Sequence, residues 1–229
     1  MKCAALLSGG KDSVRAIYLA KKMGHEVCAC LTIFSRNEDS YMFHTRNIEL
    51  SRLAAEAMGI PHLTAESEGK KEEELADLKN LISAAKKKFN VEGIICGGLS
   101  SKYQGSRIER ICNELGLKMI APLWGINPRE HLLGLLSEGF KIIFVSVSAD
   151  GLGEKWLGRE LDSKAVEELL ELNKKTGISP VGEGGEFESL VLDCPLYNKK
   201  ISFEAKEKIW DKKTSSGYLI ADARLVEKN

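Results

Sequence analysis

Apolar runs and amphipathic segments alternate along the first half of these 229 residues, and a glycine turn joins the first such pair. Beyond residue 123 the pattern gives way to closely spaced short strands. Together these observations predict an α/β fold: a doubly wound parallel sheet followed by a smaller α+β region at the carboxyl end. The expected division is residues 1–123 for the sheet domain and 124–229 for the appended region.

The first run, Cys3-Ala4-Ala5-Leu6-Leu7, is short and continuous, as suits a strand buried on both faces. Ser8-Gly9-Gly10-Lys11-Asp12-Ser13 follows, and Val14, Ile17 and Tyr18 then mark a helix ending near Gly24. A strand, a glycine turn and a helix opening gather backbone N–H groups at the positive end of a helix dipole, which makes an anion site. Gly9 and Gly10 let the backbone approach an oxyanion without a Cβ in the way. Ser8 and Ser13 add hydroxyls, and Lys11 adds a positive charge. Asp12 would repel an anion unless a cation stood between them, so it implies a divalent ion, Mg²⁺ first. The string is not GxxxxGK[ST], which disfavours γ-phosphate transfer of the usual P-loop kind. A turn in which Asp12 or Ser13 merely caps the helix is the plainer alternative.

Residues 27–34 read as a second buried strand, and a polar loop over 35–40 leads towards a helix carrying Ile48, Leu53, Ala54, Ala57 and Met58, closed by Gly59 and Pro61. A short strand is expected near 62–65. Leu75, Leu78, Ile82, Ala85 and Phe89 then give a strongly marked helix whose last turn, Lys86-Lys87-Lys88, is solvated. Residues 91–97 form a further strand, Ile108, Ile111, Cys112 and Leu115 line a helix, and 117–121 complete the fifth strand. Past Pro122-Leu123-Trp124-Gly125, a helix over 128–137 and a strand over 141–147 are expected. A helix capped by Asp162 and Ser163 ends at Gly177, and strands follow near 188–192, 200–204 and 217–226 in a mixed or antiparallel sheet.

In a doubly wound sheet, ligands gather at the carboxyl ends of the strands. Three loops besides the first turn therefore carry weight. The first contains Ser40-Tyr41-Met42-Phe43-His44-Thr45, where His44 reads as a packing or hydrogen-bonding residue before a catalytic one. The second, from Gly97 to Arg107, repeats the strand-turn-helix geometry; its glycines and hydroxyls suit a nucleotide's ribose or adenine edge. Arg107 can reach a phosphate there, or form a salt bridge on the helix face. The third is Gly182-Glu183-Gly184-Gly185-Glu186-Phe187-Glu188. Three carboxylates interleaved with glycines make sense around a cation, whether a metal, ammonium or a substrate amine. A mobile acidic loop is the alternative.

Composition narrows the function classes. Thirty-three basic and thirty-three acidic residues leave a formal net charge of zero, which argues against direct nucleic-acid binding through phosphates. No apolar stretch approaches the ~18 residues of a membrane span, and no signal pattern opens the chain, so a cytoplasmic protein is expected. The six cysteines form no C-x-x-C pair and no zinc-type cluster, and read as small buried hydrophobes.

SGGKDS after the first strand resembles the PP-loop of the N-type ATP pyrophosphatase superfamily, with its adenine nucleotide alpha hydrolase-like fold. Further strings resemble the diphthine–ammonia ligase family: Ser40-Tyr41-Met42 with Thr45, Ser101-x-Tyr103-Gln104-x-x-Arg107-Ile108-Glu109, Pro122-Leu123-Trp124-Gly125 and Leu157-Gly158-Arg159. The acidic loop, leading to Leu192-Asp193-Cys194-Pro195-Leu196, completes the likeness. It spans essentially the whole chain in order.

The resemblance implies a PP-loop ATP-binding domain over 1–123 and a substrate-binding region over 124–229. It implies an enzyme that adenylates the diphthine carboxylate on translation elongation factor 2 and amidates it with ammonium, releasing AMP and pyrophosphate. ATP and Mg²⁺ would be its cofactors. By the same resemblance Lys11 and Asp12 are the catalytic residues, with Asp12 holding the metal. Ser8, Gly9, Gly10, Lys11, Ser13, Gly97 and Arg107 would bind the nucleotide. Tyr103, Gln104, Trp124, Glu183, Gly184, Gly185 and Glu186 would bind the substrate, whose quaternary ammonium suits aromatic faces such as Trp124, Tyr103 and Phe187. Two other readings stay open, a PP-loop tRNA-modifying enzyme and a non-catalytic ATP/AMP-binding sensor. No residue pattern fixes the oligomeric state, and a homo-oligomer is left open.

Overall fold

The computed structural model describes residues 1–36, 48–69 and 73–228. The loop carrying Tyr41, Met42, His44 and Thr45 lies outside them. The chain divides into two compact units, Met1–Trp124 and Gly125–Asn229.

The first unit is a five-stranded, fully parallel sheet flanked by helices. Its strands are β1 (Lys2–Leu6), β2 (Glu26–Ser35), β3 (His62–Ser67), β4 (Gly93–Ile95) and β5 (Lys118–Ile120), in the order β3-β2-β1-β4-β5. The connecting helices are α1 (Lys11–Lys22), α2 (Ser51–Met58), α3 (Glu73–Phe89) and α4 (Lys102–Glu114). The expected helix over 48–58 opens instead with a 3₁₀ turn, Ile48–Leu50, before α2 begins. α2 closes on Gly59 in the left-handed region, at φ 65°, where its N–H reaches the carbonyls of Ala55 and Glu56.

Strand alternation divides the core into two faces. Ala4, Ala29, Leu31, Ile33, Ile94 and Cys96 pack with Leu78, Ile82 and Ala85 of α3 and with Ile111 and Cys112 of α4. Residues of the other parity, including Ala5, Cys30, Thr32 and Ile95, turn to the opposite face, where α1 lies against β1, β2 and β4. All six thiols are free, and five are buried. Burial pushes Cys30, Cys112 and Cys194 up to about 12, so these behave as inert hydrophobes.

In the second unit, α5 (Pro128–Ser137) begins behind Asn127, whose side chain accepts from the Arg129 and Glu130 N–H groups. α6 (Ser163–Thr176) begins behind Asp162, which accepts from the Ala165 N–H at 2.7 Å. A four-stranded antiparallel sheet has the order β7-β6-β9-β8, with β6 (Lys141–Val147), β7 (Phe187–Asp193), β8 (Lys199–Asp211) and β9 (Ser216–Glu227). β6 is buried along nearly its whole length, and Phe144 makes edge-on contacts with Trp156 and Phe187. No helix among the described residues is long and apolar enough to cross a membrane.

Candidate active site

β1 is the central strand of its sheet, and the connections reverse direction there: β2 and β3 lie on one side, β4 and β5 on the other. The loops following β1 and β4 therefore flank a topological switch point, the place where such sheets bind ligands. Gly9 turns the chain out of β1 at φ 83°, a conformation other residues avoid, and Gly10 stands at the N-cap of α1 with no side-chain cap.

The serine hydroxyls hold the loop's shape. Ser13 Oγ donates to the Gly10 carbonyl at 3.0 Å and accepts from the Ser8 N–H at 3.2 Å. Ser8 Oγ lies 3.1 Å from Ser13 Oγ and accepts from the Gly10 N–H at 3.3 Å. Lys11 is only 3% exposed, and its Nζ sits 2.9 Å from Asp12 Oδ2, a contact that offsets the desolvation of the buried ammonium.

Gly97, just past β4, comes against the backbone of this loop. A Cβ built there would stand 2.8 Å from Asp12 C and Ser13 N, and 2.9 Å from Asp12 O. Glycine is therefore required for the two loops to approach. Gly98 faces open space. Ser101 caps α4 by accepting from the Gln104 N–H, so Gln104 enters as part of the helix's first turn. The Arg107 guanidinium stacks on the Tyr103 ring at 3.5 Å and donates to the Tyr103 carbonyl at 3.2 Å. Trp124 is 46% exposed and its ring lies over Gly105, where a Cβ would come within 3.0 Å of it. The first unit thus gathers Ser8, Gly9, Gly10, Lys11, Asp12, Ser13 and Gly97 around one point, and presents Tyr103 and Trp124 as exposed aromatics on and beside α4.

The acidic loop belongs to the second unit. Glu186 turns its carboxylate inward: Oε1 accepts from the Ser179 N–H at 2.7 Å, and Oε2 from the Gly184 N–H at 2.8 Å. The Glu183 N–H donates to Ser179 Oγ, and the Gly185 N–H to the Gly182 carbonyl. Gly182 and Gly185 take φ values of 73° and 85°, and a Cβ on Gly182 would meet Phe187 O at 2.9 Å. The loop is an ordered turn wound around one carboxylate. Among the described residues no group of three or more His, Cys, Asp or Glu is placed to hold a metal ion. Phe187 is 3% exposed and packs on Phe144, so it is a core residue and offers no open aromatic face.

A lone carboxylate suits Mg²⁺ that arrives on a nucleotide, because that ion keeps water and phosphate oxygens and needs only one or two protein carboxylates. Asp12 meets this requirement, at the mouth of a loop of backbone donors.

Both units match family models in sequence: residues 1–119 the diphthamide synthase N-terminal domain, and residues 127–226 the diphthamide synthase C-terminal domain. The chain belongs to the diphthamide synthase family. Among its relatives, the diphthine–ammonia ligase of Bos taurus is 37% identical over 226 residues, covering 90% of this chain and 84% of that protein. The diphthine–ammonia ligase of Homo sapiens is 36% identical with the same coverage. Among solved structures, a predicted subunit of tRNA methyltransferase from Methanocaldococcus jannaschii shares 20% identity over 85% of this chain and 98% of its own, at a TM-score of 0.45. That likeness is too distant to add to the family assignment.

Proposed function

We propose that this protein is a diphthine–ammonia ligase, which activates the diphthine carboxylate of translation elongation factor 2 with ATP and converts it to the amide with ammonium. The observation that carries the reading is the collinear likeness to diphthine–ammonia ligases across both units, at 36–37% identity.

In the first step a carboxylate oxygen of diphthine attacks the α-phosphorus of ATP. The bond from that phosphorus to the bridging oxygen breaks, and pyrophosphate leaves with the electron pair. The Gly9 amide and Lys11 are suited to receive the charge on the leaving group, since preformed donors need no reorganisation as charge develops, and the Gly10 N–H would have to exchange Ser8 Oγ for the nucleotide. Ser8 and Ser13 hold those donors in place. Asp12 would hold Mg²⁺, which supplies charge neutralisation of the phosphates when bound. Gly97 and Arg107 are assigned to the nucleotide, and Tyr103, Gln104 and Trp124 to the acceptor. In the second step ammonium gives up a proton, the resulting ammonia attacks the carbonyl carbon of the acyl-adenylate, AMP departs with the electron pair of the broken bond, and a second proton leaves the nitrogen as the amide forms. On the second unit, Glu183 with the backbone of Gly184 and Gly185 is assigned to a cationic group, ammonium or the substrate's quaternary nitrogen. Glu186 maintains that loop. A translation factor as substrate would make this a cytoplasmic enzyme.

The purified chain is incubated with Mg-ATP, ammonium and diphthine-bearing elongation factor 2, while AMP and the target's mass are followed. AMP together with an acid-to-amide mass change supports the reading. AMP without the mass change moves the acceptor elsewhere, to a tRNA for instance, and no AMP leaves a nucleotide sensor.

A further inference from the structure

A chain of side-chain hydrogen bonds runs from the sheet to the start of the phosphate loop, through residues given no role above. Thr32 Oγ1 donates to the Leu7 carbonyl oxygen at 2.6 Å, and His62 Nε2 lies 2.8 Å from the same Oγ1. A carbonyl only accepts, so the single hydroxyl proton is committed to Leu7. Thr32 Oγ1 must then accept from His62, which fixes the neutral ring as its Nε2–H tautomer. Burial, with the charge of Arg52 second, pushes His62 down to about 4. The register explains the meeting: Cys30 pairs with His62 across β2 and β3, and Thr32 stands two residues further along the same face.

The chain ends on one peptide unit. The Leu7 carbonyl and the Ser8 N–H share a single rigid plane. Thr32 holds its carbonyl side, while Ser13 Oγ holds its N–H side at 3.2 Å. The residue before the turn is anchored as well, by the Leu7 N–H to the Leu31 carbonyl at 2.9 Å. Rotating that plane would swing the Gly9 and Gly10 amides that follow it. Thr32 is only 3% exposed, so water is poorly placed to substitute for its hydroxyl.

We propose that Thr32 and His62 are positioning residues for the adenylation step, clamping the Leu7–Ser8 peptide so that the loop amides are aimed at the nucleotide before it binds. The inference rests on the nucleotide-binding reading of that loop.

The test uses the full chain and Mg-ATP, with binding followed by calorimetry and AMP formation followed kinetically. Thr32→Val keeps the shape and removes the donor; it should weaken Mg-ATP binding about tenfold and lower kcat/KM alike, with the KM for ammonium unchanged. Thr32→Ser should restore both. His62→Leu, which frees the Thr32 hydroxyl to turn away, should cost about threefold and serves if Thr32→Val does not fold. A folded Thr32→Val or His62→Leu chain that binds Mg-ATP as the wild type does would overturn the proposal, as would Thr32→Ser failing as badly as Thr32→Val. A wild-type chain that does not bind Mg-ATP would overturn the proposed function, and this inference with it.

Discussion

Adding one methyl group at Gly97 tests how closely the two loops at the switch point must approach. In Gly97→Ala the new Cβ would lie 2.8 Å from Asp12 C and Ser13 N and 2.9 Å from Asp12 O, all backbone atoms that cannot rotate aside. Ordinary contacts begin near 3.4 Å, so either the end of β4 or the opening of α1 must move by about half an ångström or more. Overpacking of this kind costs roughly 1–3 kcal/mol of stability. The displaced atoms belong to the residues opening α1, which the proposed function assigns to the nucleotide. A misplacement approaching 1 Å costs on the order of 100-fold in rate. The expected result is a 10- to 100-fold fall in kcat/KM for Mg-ATP, with a denaturation midpoint lowered by the equivalent of ~1–3 kcal/mol. Gly98→Ala is the control, because its Cβ would meet nothing within 4 Å. Gly97→Ala matching the wild type in both kinetics and stability would refute the close-approach account.

Other outcomes follow from contacts already described. Lys11→Met keeps the buried stem and removes the charge; AMP formation should fall by roughly 100- to 1000-fold in steady-state assays. Glu186→Gln can accept with one oxygen only, so one of the Ser179 and Gly184 amides loses its partner; amide hydrogen exchange should lose protection there, for about 1 kcal/mol of local stability. His62, whose folded value is depressed to about 4, favours the neutral native ring, so its stabilisation is complete above the unfolded value near 6.5. That stabilisation is lost as pH falls from ~6.5 towards 4, by about 1–2 kcal/mol after discounting for solvent screening. Chemical denaturation across that range should show His62→Gln with a flatter pH dependence than the wild type.

Much of the fold could be read from periodicity, and the exceptions have physical causes. α5 and β6 occupy the ranges that their apolar patterns predict, 128–137 and 141–147. β4 pairs only over Gly93–Ile95 although 91–97 is apolar or small except for Glu92: Val91 is spent in the core against α3, and Gly97 has turned towards α1. β8 runs well past 204 because it keeps pairing with β9 as far as Asp211 and Ser216, with Lys206 3.3 Å from Asp222 across the ribbon. At the site, Lys11, Asp12 and the glycines are adjacent in sequence and so were legible together. Thr32 and His62 were not, since the Thr32–Leu7 bond crosses 25 residues, the His62–Thr32 bond crosses 30, and both depend on strand register. Nor does a string of acids and glycines reveal that Glu186 points into its own loop.

The central place of β1 has a consequence for synthesis on the ribosome. Within its sheet β1 emerges before the other strands, yet one of its two neighbours, β4, pairs Gly93 with Cys3 and so emerges some ninety residues later. Until then the strand that leads into the Ser8–Ser13 loop has an open edge, and Gly97 is not yet present to close against the opening of α1. Long-range parallel pairing of this kind is intrinsically slow and leaves the nascent chain exposed to association. The earliest strand of this sheet is thus among the last to acquire its working shape.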